Sequence, residues 1–196
     1  MMRVAALIVL MLAATPAAAA DKYSFDPAHT QILFSVSHMG LSHSHGRFAK
    51  FDGYFTFDEK NPVAGSVEVT VDMDSVDMGA QDWDEAVRSD KLLDARRFPK
   101  MTFKSTSVKK TGAVTGTVTG DLTLHGVIRP LMLEVVFNKA ARNPYNKNLN
   151  AGFTATGRLK RSDFGMDQYI PDVGDEIAIT IEVEGIRQDF EGLDKK

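Results

Sequence analysis

The chain contains no cysteine in 196 residues. This removes a disulfide framework, a thiol nucleophile and the usual structural zinc sites, and it leaves no lipobox residue to carry a lipid anchor. Neither sign of charge is in large excess. Lys plus Arg number 23 against 26 Asp plus Glu, a formal charge of −3, with no basic face of the kind that nucleic-acid binding requires. Catalytic signatures are missing too. There is no Gly-x-Ser-x-Gly elbow, no His-Glu-x-x-His and no glycine loop placed to cradle phosphate before a helix. Nothing sets two carboxylates together for glycoside chemistry. After the first twenty residues there is no linker, internal repeat or low-complexity tract. What remains is one domain, long enough to bury a real core and expected to be non-catalytic.

The N-terminus is of a different character. Seventeen of the first twenty residues are apolar, Arg3 is the only charge, Val4 to Ala14 run without a polar residue, and Pro16 precedes Ala17 to Ala20. A short positive start, an apolar stretch and small residues at an A-x-A site define a secretory signal peptide. Residues 1–20 are therefore expected to be removed after Ala20. The apolar run falls short of the roughly 20 residues that a membrane span needs. Loss of this segment leaves residues 21–196 as one exported domain of 176 residues, and loss of Arg3 takes the charge from −3 to −4. The expected location is a bacterial periplasm, with no stable insertion into the membrane.

The rest reads as strands. Ile32, Phe34, Val36 and His38 alternate with Leu33, Ser35 and Ser37, the period of a half-buried strand. Val67, Val69, Val71 and Met73 do the same, as do Leu131 to Phe137 and Ile177 to Val183. Four further strands are expected over 46–57, 100–108, 114–124 and 150–161. A parity shift after Phe48 marks a bulge near Ala49-Lys50. One segment breaks the pattern: Asp82 with Glu85 three residues on has the form of a capping box, which predicts a short helix over Trp83 to Ser89. About eight alternating strands with one helical excursion make an all-β antiparallel fold, a sandwich or a closed barrel. Gly116, Gly120, Ala151, Ala155 and Gly157 recur on inward positions. They mark either bulges and barrel corners or a lumen left underfilled for an apolar guest.

Certain stretches carry a resemblance. They are Phe25-Asp26-Pro27-Ala28-His29-Thr30, Phe34 to Gly40, Gly46 to Gly53, Arg88-Ser89-Asp90, Phe98 to Ser105, Gly120 to Val127, Ala151-Gly152-Phe153, Arg161 to Gly165 and Val173 to Glu176. In this order and spacing the chain, from about Tyr23 to Glu184, resembles the YceI-like family of periplasmic polyisoprenoid-binding proteins. The resemblance implies a lipocalin-like antiparallel barrel whose lumen takes a long isoprenoid or fatty chain, such as a quinone tail, a polyprenyl phosphate or a fatty amide. It also implies pairing as homodimers. The family's helix commonly reads Arg-Asp-x-His-Leu-Arg-Ser, and here it is Trp83-Asp84-Glu85-Ala86-Val87-Arg88-Ser89. Head-group contacts made there by relatives therefore do not carry over.

The expected ligand wall is Ile32, Phe34, Val36, Val69, Phe103, Leu122, Leu124, Phe153, Ile179 and Ile181. His38 and Arg161 have inward parity at strand ends. Each is either a structural residue, as a rim hydrogen bond for His38 and an ion pair with Asp163 for Arg161, or a donor to a head group at the mouth. His43 and His45 share a strand face with no third ligand of matched spacing, so no metal site is assigned. Asp72, Asp74, Asp77, Asp82 and Asp84 lack the order of a calcium loop. No cofactor is expected beyond a bound isoprenoid or long-chain lipid. The leading function is sequestration or transport of such a lipid. The alternatives are a stress-related structural or interaction protein with an incidental ligand, and an enzyme acting on a lipid or quinone.

Overall fold

The computed structural model describes residues 20–145 and 147–188. All of the expected signal peptide except Ala20 lies outside the described residues. In chain order the strands are β1 (Asp21–Phe25), β2 (Gln31–His38), β3 (Ser42–Phe48), β4 (Phe51–Phe57), β5 (Ser66–Asp72), β6 (Val76–Asp77), β7 (Lys100–Lys110), β8 (Thr115–Leu124), β9 (Val127–Arg142), β10 (Leu149–Lys160) and β11 (Val173–Arg187). One α-helix, α1 (Gln81–Arg88), lies between β6 and β7.

These segments form eight ribbons. Phe25 of β1 pairs with Gly185, and β2 pairs with the same β11 from Gln31↔Glu182 onward. The second ribbon is β3 on β2 followed by β4 on β1, and the third is β5 on β4 with β6 on β3. From β7 to β11 each strand pairs antiparallel with the next, and β11 returns to the first ribbon. The result is a closed, antiparallel, eight-ribbon up-and-down barrel, which leaves no long free edge.

The interruptions have local causes. After β1, the Thr30 N–H donates to the Asp26 carbonyl at 2.9 Å and the Ala28 N–H to the Asp26 carboxylate at 2.9 Å. The buried Thr30 hydroxyl then donates to the Glu184 carbonyl at 3.0 Å and accepts from the Glu184 N–H at 3.1 Å. This side chain stands in for the missing backbone rung. At the expected bulge, the Ala49 N–H donates to the Ser75 carbonyl and the Lys50 N–H to the Ser75 hydroxyl, at 3.0 and 2.9 Å. The breaks in the second and third ribbons therefore satisfy each other.

One end of the barrel is plugged by what lies between strands. Met73, Val76, Met78, Ala95, Phe164 and Met166 are all buried and pack beneath Leu122, Leu124 and Leu131. The β8–β9 hairpin turns through His125 and Gly126, at φ +52° and +75°, the mirror-image turn that suits strand twist. His125 Nδ1 meets the Phe164 carbonyl at 3.0 Å and its ring lies 4.5 Å from that of Phe98, which ties the plug to the wall. Inward glycines house rings: a Cβ on Gly120 would fall 2.5 Å from Phe103, one on Gly46 would meet Phe34, and one on Gly185 would sit inside the Phe55 ring's contact distance.

Helix α1 corrects one expectation. It starts at Gln81, its N-cap is Ala80 with no side-chain bond, and Asp84 accepts from the Met78 N–H at 2.6 Å. The capping box of Asp82 and Glu85 does not form, because Glu85 accepts from Gln81 Nε2 at 3.0 Å instead. The helix packs beside β6 at the plugged end, with Val87 against the core.

Gly185→Ala drives a methyl group into the buried Phe55 and Tyr23 pair. A destabilisation of about 1–3 kcal/mol is expected, read as a lower urea midpoint with an unchanged slope.

Candidate functional site

The other end of the barrel holds a cavity of about 440 Å³, within the size range of small-molecule sites. Its wall is aromatic and branched: Phe25, Phe51, Phe55, Phe57, Phe137 and Phe153 with Ile32, Val67, Val69, Phe103, Val118, Leu133, Val135, Ile181 and Val183. Phe153 stands edge-on to Phe55 and Phe57 at 5.5 and 4.9 Å, and Phe57 lies 5.1 Å from Phe137. Ala155 and Gly116, small residues at inward positions, leave room between these rings. Many wall side chains are half-buried although they point inward, because they face open volume and have no packing partner there.

The opening comes from β7. Its ladder with β5 runs only from Lys100 to Lys104. Beyond that the Val67 N–H donates to the Ser105 hydroxyl at 2.9 Å, and a bulge between Ser105 and Ser107 turns the strand away. Pro62, Gly65 and Ser66 form one lip, and Val108, Lys109, Lys110 and the β7–β8 hairpin form the other. The bulge also resets parity. Val108 pairs with Val118 and Lys110 with Gly116, so Lys110 falls on the inward side, where unbroken alternation from Phe103 would have put Lys109. Lys109, Lys110 and Glu59 are the charged groups along the cavity's lining. Sequence reading missed all three: a strand bulge between polar residues leaves no hydrophobic signature to place the lysines, and Glu59 lies in the turn after β4, where alternation says nothing.

Of the expected wall, Ile32, Val69, Phe103, Phe153 and Ile181 line the cavity. Phe34, Leu122, Leu124 and Ile179 belong to the packed core below it. Val36 pairs with Ile177 and Ser44 toward the plugged end, away from the cavity. The two expected head-group donors are not at the mouth. His38 is exposed at the end of β2, opposite Val173 at the start of β11, which is the plugged end. Arg161 is buried there inside a cage of carbonyls: Nε donates to Gly174 at 2.8 Å, Nη1 to Met166 and Gln168 at 2.5 and 2.9 Å, and Nη2 to Val173 at 2.8 Å. Four of its five donors hold the loop before β11, and the group is buried at the plugged end, away from the cavity. Burial draws the guanidinium below its ordinary value, opposed by the charges of Asp175 and Asp167. The ion pair expected with Asp163 does not form, since the Arg161 bonds all go to carbonyls; Asp175 instead holds the turn, accepting from the Ser162 N–H and hydroxyl at 2.9 Å each. Trp83 is 44% exposed on α1 and does not cap the cavity.

His43 and His45 are exposed on one face of β3. A different histidine has company: ligand atoms of Asp26, His29 and Glu184 lie within 4.8 Å of one another. Hydrogen bonds account for the group, with His29 Nδ1 at 2.8 Å from Asp26 Oδ2 and Asn150 Nδ2 donating to Glu184 Oε1 at 2.6 Å. The bond to Asp26 and the charges of Asp26 and Glu184 raise the imidazole above its ordinary value. Burial alone would raise the Asp26 carboxyl, but the hydrogen bonds from His29 and the Ala28 N–H outweigh it and hold the group below its usual range.

A lipocalin-like closed barrel with an apolar pocket at one end is the class that this fold defines. The match to the YceI-like domain covers residues 23–185. The chain is 41% identical over 180 residues to Protein YceI of Escherichia coli O157:H7, covering 91% of this chain and 93% of that one. UPF0312 protein PC1_2518 of Pectobacterium carotovorum is likewise 41% identical, over 182 residues, 92% of this chain and 94% of the relative. The chain belongs to the YceI-like family. Among solved structures, BcnA of Burkholderia cenocepacia superposes with a TM-score of 0.74 at 24% identity, over 82% of this chain and 98% of that one. The YceI protein of Campylobacter jejuni gives 0.70 at 27%, over 78% and 90%.

Two outcomes follow from the polar clusters. Arg161→Ala strands four carbonyls and is expected to cost on the order of 3 kcal/mol or more. Arg161→Lys recovers only part of this, because one ammonium cannot span the cage; chemical denaturation of the three proteins measures both. The His29 titration midpoint, followed by NMR, is expected above the ordinary 6.5 and is expected to return toward it in Asp26→Asn. The sign fixes the pH window. The His29 contribution to stability is fully present below its unfolded value and fades as pH rises through the raised one. That of Asp26 is present above its unfolded value and fades as pH falls through the depressed one.

Proposed function

We propose that this protein is a non-catalytic carrier that takes the apolar chain of an isoprenoid-type or other long-chain lipid into the barrel. It would act as a soluble periplasmic protein once residues 1–20 are removed. The observation that carries this reading is the cavity of about 440 Å³, walled by aromatic and branched side chains and charged only at its lip. Burial of a tail is worth about 0.8 kcal/mol per methylene. About ten methylenes therefore supply roughly 8 kcal/mol, enough to offset association costs at the lower end of their range of about 4–15 kcal/mol. The domain from Saccharophagus degradans that shares the fold, at a TM-score of 0.61 and 14% identity, is described as polyisoprenoid binding, which agrees with this reading. A non-catalytic role is supported by the lining itself, whose deep part supplies hydrocarbon and no paired nucleophile and base.

Protein exported in its own host and examined by native mass spectrometry with organic extraction is expected to carry one unmodified lipid per barrel. Val69→Trp, which fills the lumen, is expected to lose most of it while staying folded. An empty wild-type barrel, or a lipid retained at full stoichiometry in Val69→Trp, would overturn the reading.

A further inference from the structure

We infer that the mouth of the cavity selects lipids with an anionic head group, recognised by Lys110 with Lys109; this rests on the carrier reading above. The lip carries two ammonium groups and the single carboxylate of Glu59. Neither lysine has a carboxylate within ion-pair distance among the described residues, in contrast to Lys100 on Asp72 at 3.2 Å and Lys104 on Glu68 at 3.5 Å lower on the same strand. The sequence thus spends its β7 carboxylate partners below the bulge and leaves the two lysines above it unpaired.

Placement adds to this. The bulge between Ser105 and Ser107 turns Lys110 to the luminal side, opposite Gly116 in the ladder. Thr115 and Thr117 flank Gly116 along the cavity's lining. An anion here would meet an excess of positive charge at the rim of a low-dielectric cavity, where charge–charge interactions are stronger than in bulk water. The setting is local: the mature chain is acidic overall, at −4 once Arg3 is gone, so general attraction of anions to the protein does not explain a gain at this spot. A neutral head group, such as an alcohol, amide or quinone ring, would make no use of the two ammonium groups. A phosphate monoester, with about −1.5 to −2 charges at neutral pH, matches the two of them.

The experiment compares two probes with one tail, geranylgeranyl phosphate and geranylgeraniol, titrated calorimetrically into delipidated protein. The phosphate is expected to bind about tenfold or more tightly than the alcohol. The preference should shrink in high salt and survive in Lys110→Arg. It should collapse in Lys109→Gln/Lys110→Gln, the phosphate losing far more affinity than the alcohol. Both lysines are exposed, and an unaltered unfolding midpoint confirms that the double variant is intact. Inorganic phosphate alone is expected not to compete, which separates a lipid head-group site from a free anion site. Equal binding of the two probes overturns the head-group inference and leaves the carrier reading standing. Binding of neither probe overturns both.

Discussion

An unfilled interior is tolerable only behind a wall whose rungs are satisfied nearly all the way round. In this chain the wall opens only at the β5–β7 mouth, and it is assembled from broken pieces. Three of the eight ribbons are interrupted, and each interruption is closed by a polar side chain: Asp26 and Thr30 in the first, Ser75 across the second and third. A buried peptide group without a partner costs on the order of 1–3 kcal/mol. The Thr30 hydroxyl, which both donates to and accepts from Glu184, prevents two such losses next to the cavity. With no cysteine in the chain, no covalent staple shares this task. Hydrogen-bond closure is what permits the apolar face to remain partly unpacked.

The two ends then diverge according to what the connections contain. Between β6 and β7, and between β10 and β11, the chain supplies Met78, Ala95, Phe164 and Met166 to fill the bottom. Methionine suits this task, being unbranched and able to occupy irregular gaps. The connections at the other end, Pro62 to Gly65 and the β7–β8 hairpin, offer turn residues, lysines and threonines in place of large apolar plugs. The Arg161 cage belongs to the same division. A guanidinium bonded to four carbonyls fixes the long loop before β11, so that Phe164 and Met166 stay in the plug. A charge buried at one end therefore holds that end's plug in place.

Much of this was legible in the sequence, and the reasons for the rest are specific. Period-two alternation identifies the inward face because a buried wall demands it, and Ile32, Val69, Phe103, Phe153 and Ile181 follow from it. Alternation carries no information about height along the barrel, which is why Leu122 and Leu124 read like Phe153 although they lie in the packed half. Nor does parity at a strand end say which end is open: His38 and Arg161 were legible as inward and terminal, but not as belonging to the plug. The break at Ala49-Lys50 is visible because phenylalanines flank it, whereas the bulge at Ser105–Ser107 is silent among polar residues and conceals the turn of Lys110. Asp82 illustrates competition of another kind. A capping pattern was present, yet the helix starts at Gln81 because Asp84 is drawn to the Met78 N–H.

The inward glycines resolve into both of the uses open to them. Gly120, Gly46 and Gly185 give up their side-chain volume to the rings of Phe103, Phe34 and Phe55, so there the wall is thick and full. Gly116 and Ala155 line the open half, although a Cβ on Gly116 would itself meet the Lys109 carbonyl at 2.7 Å. Wall atoms beside the cavity lack dispersion partners, and a chain seated there supplies them. Loading and stability are then linked by mass action, at about 2.7 kcal/mol for a ligand at a hundred times its dissociation constant. The same missing volume that makes the empty barrel less stable than a packed one is the source of its affinity, which is why the open half is lined with half-buried hydrocarbon and the closed half is not.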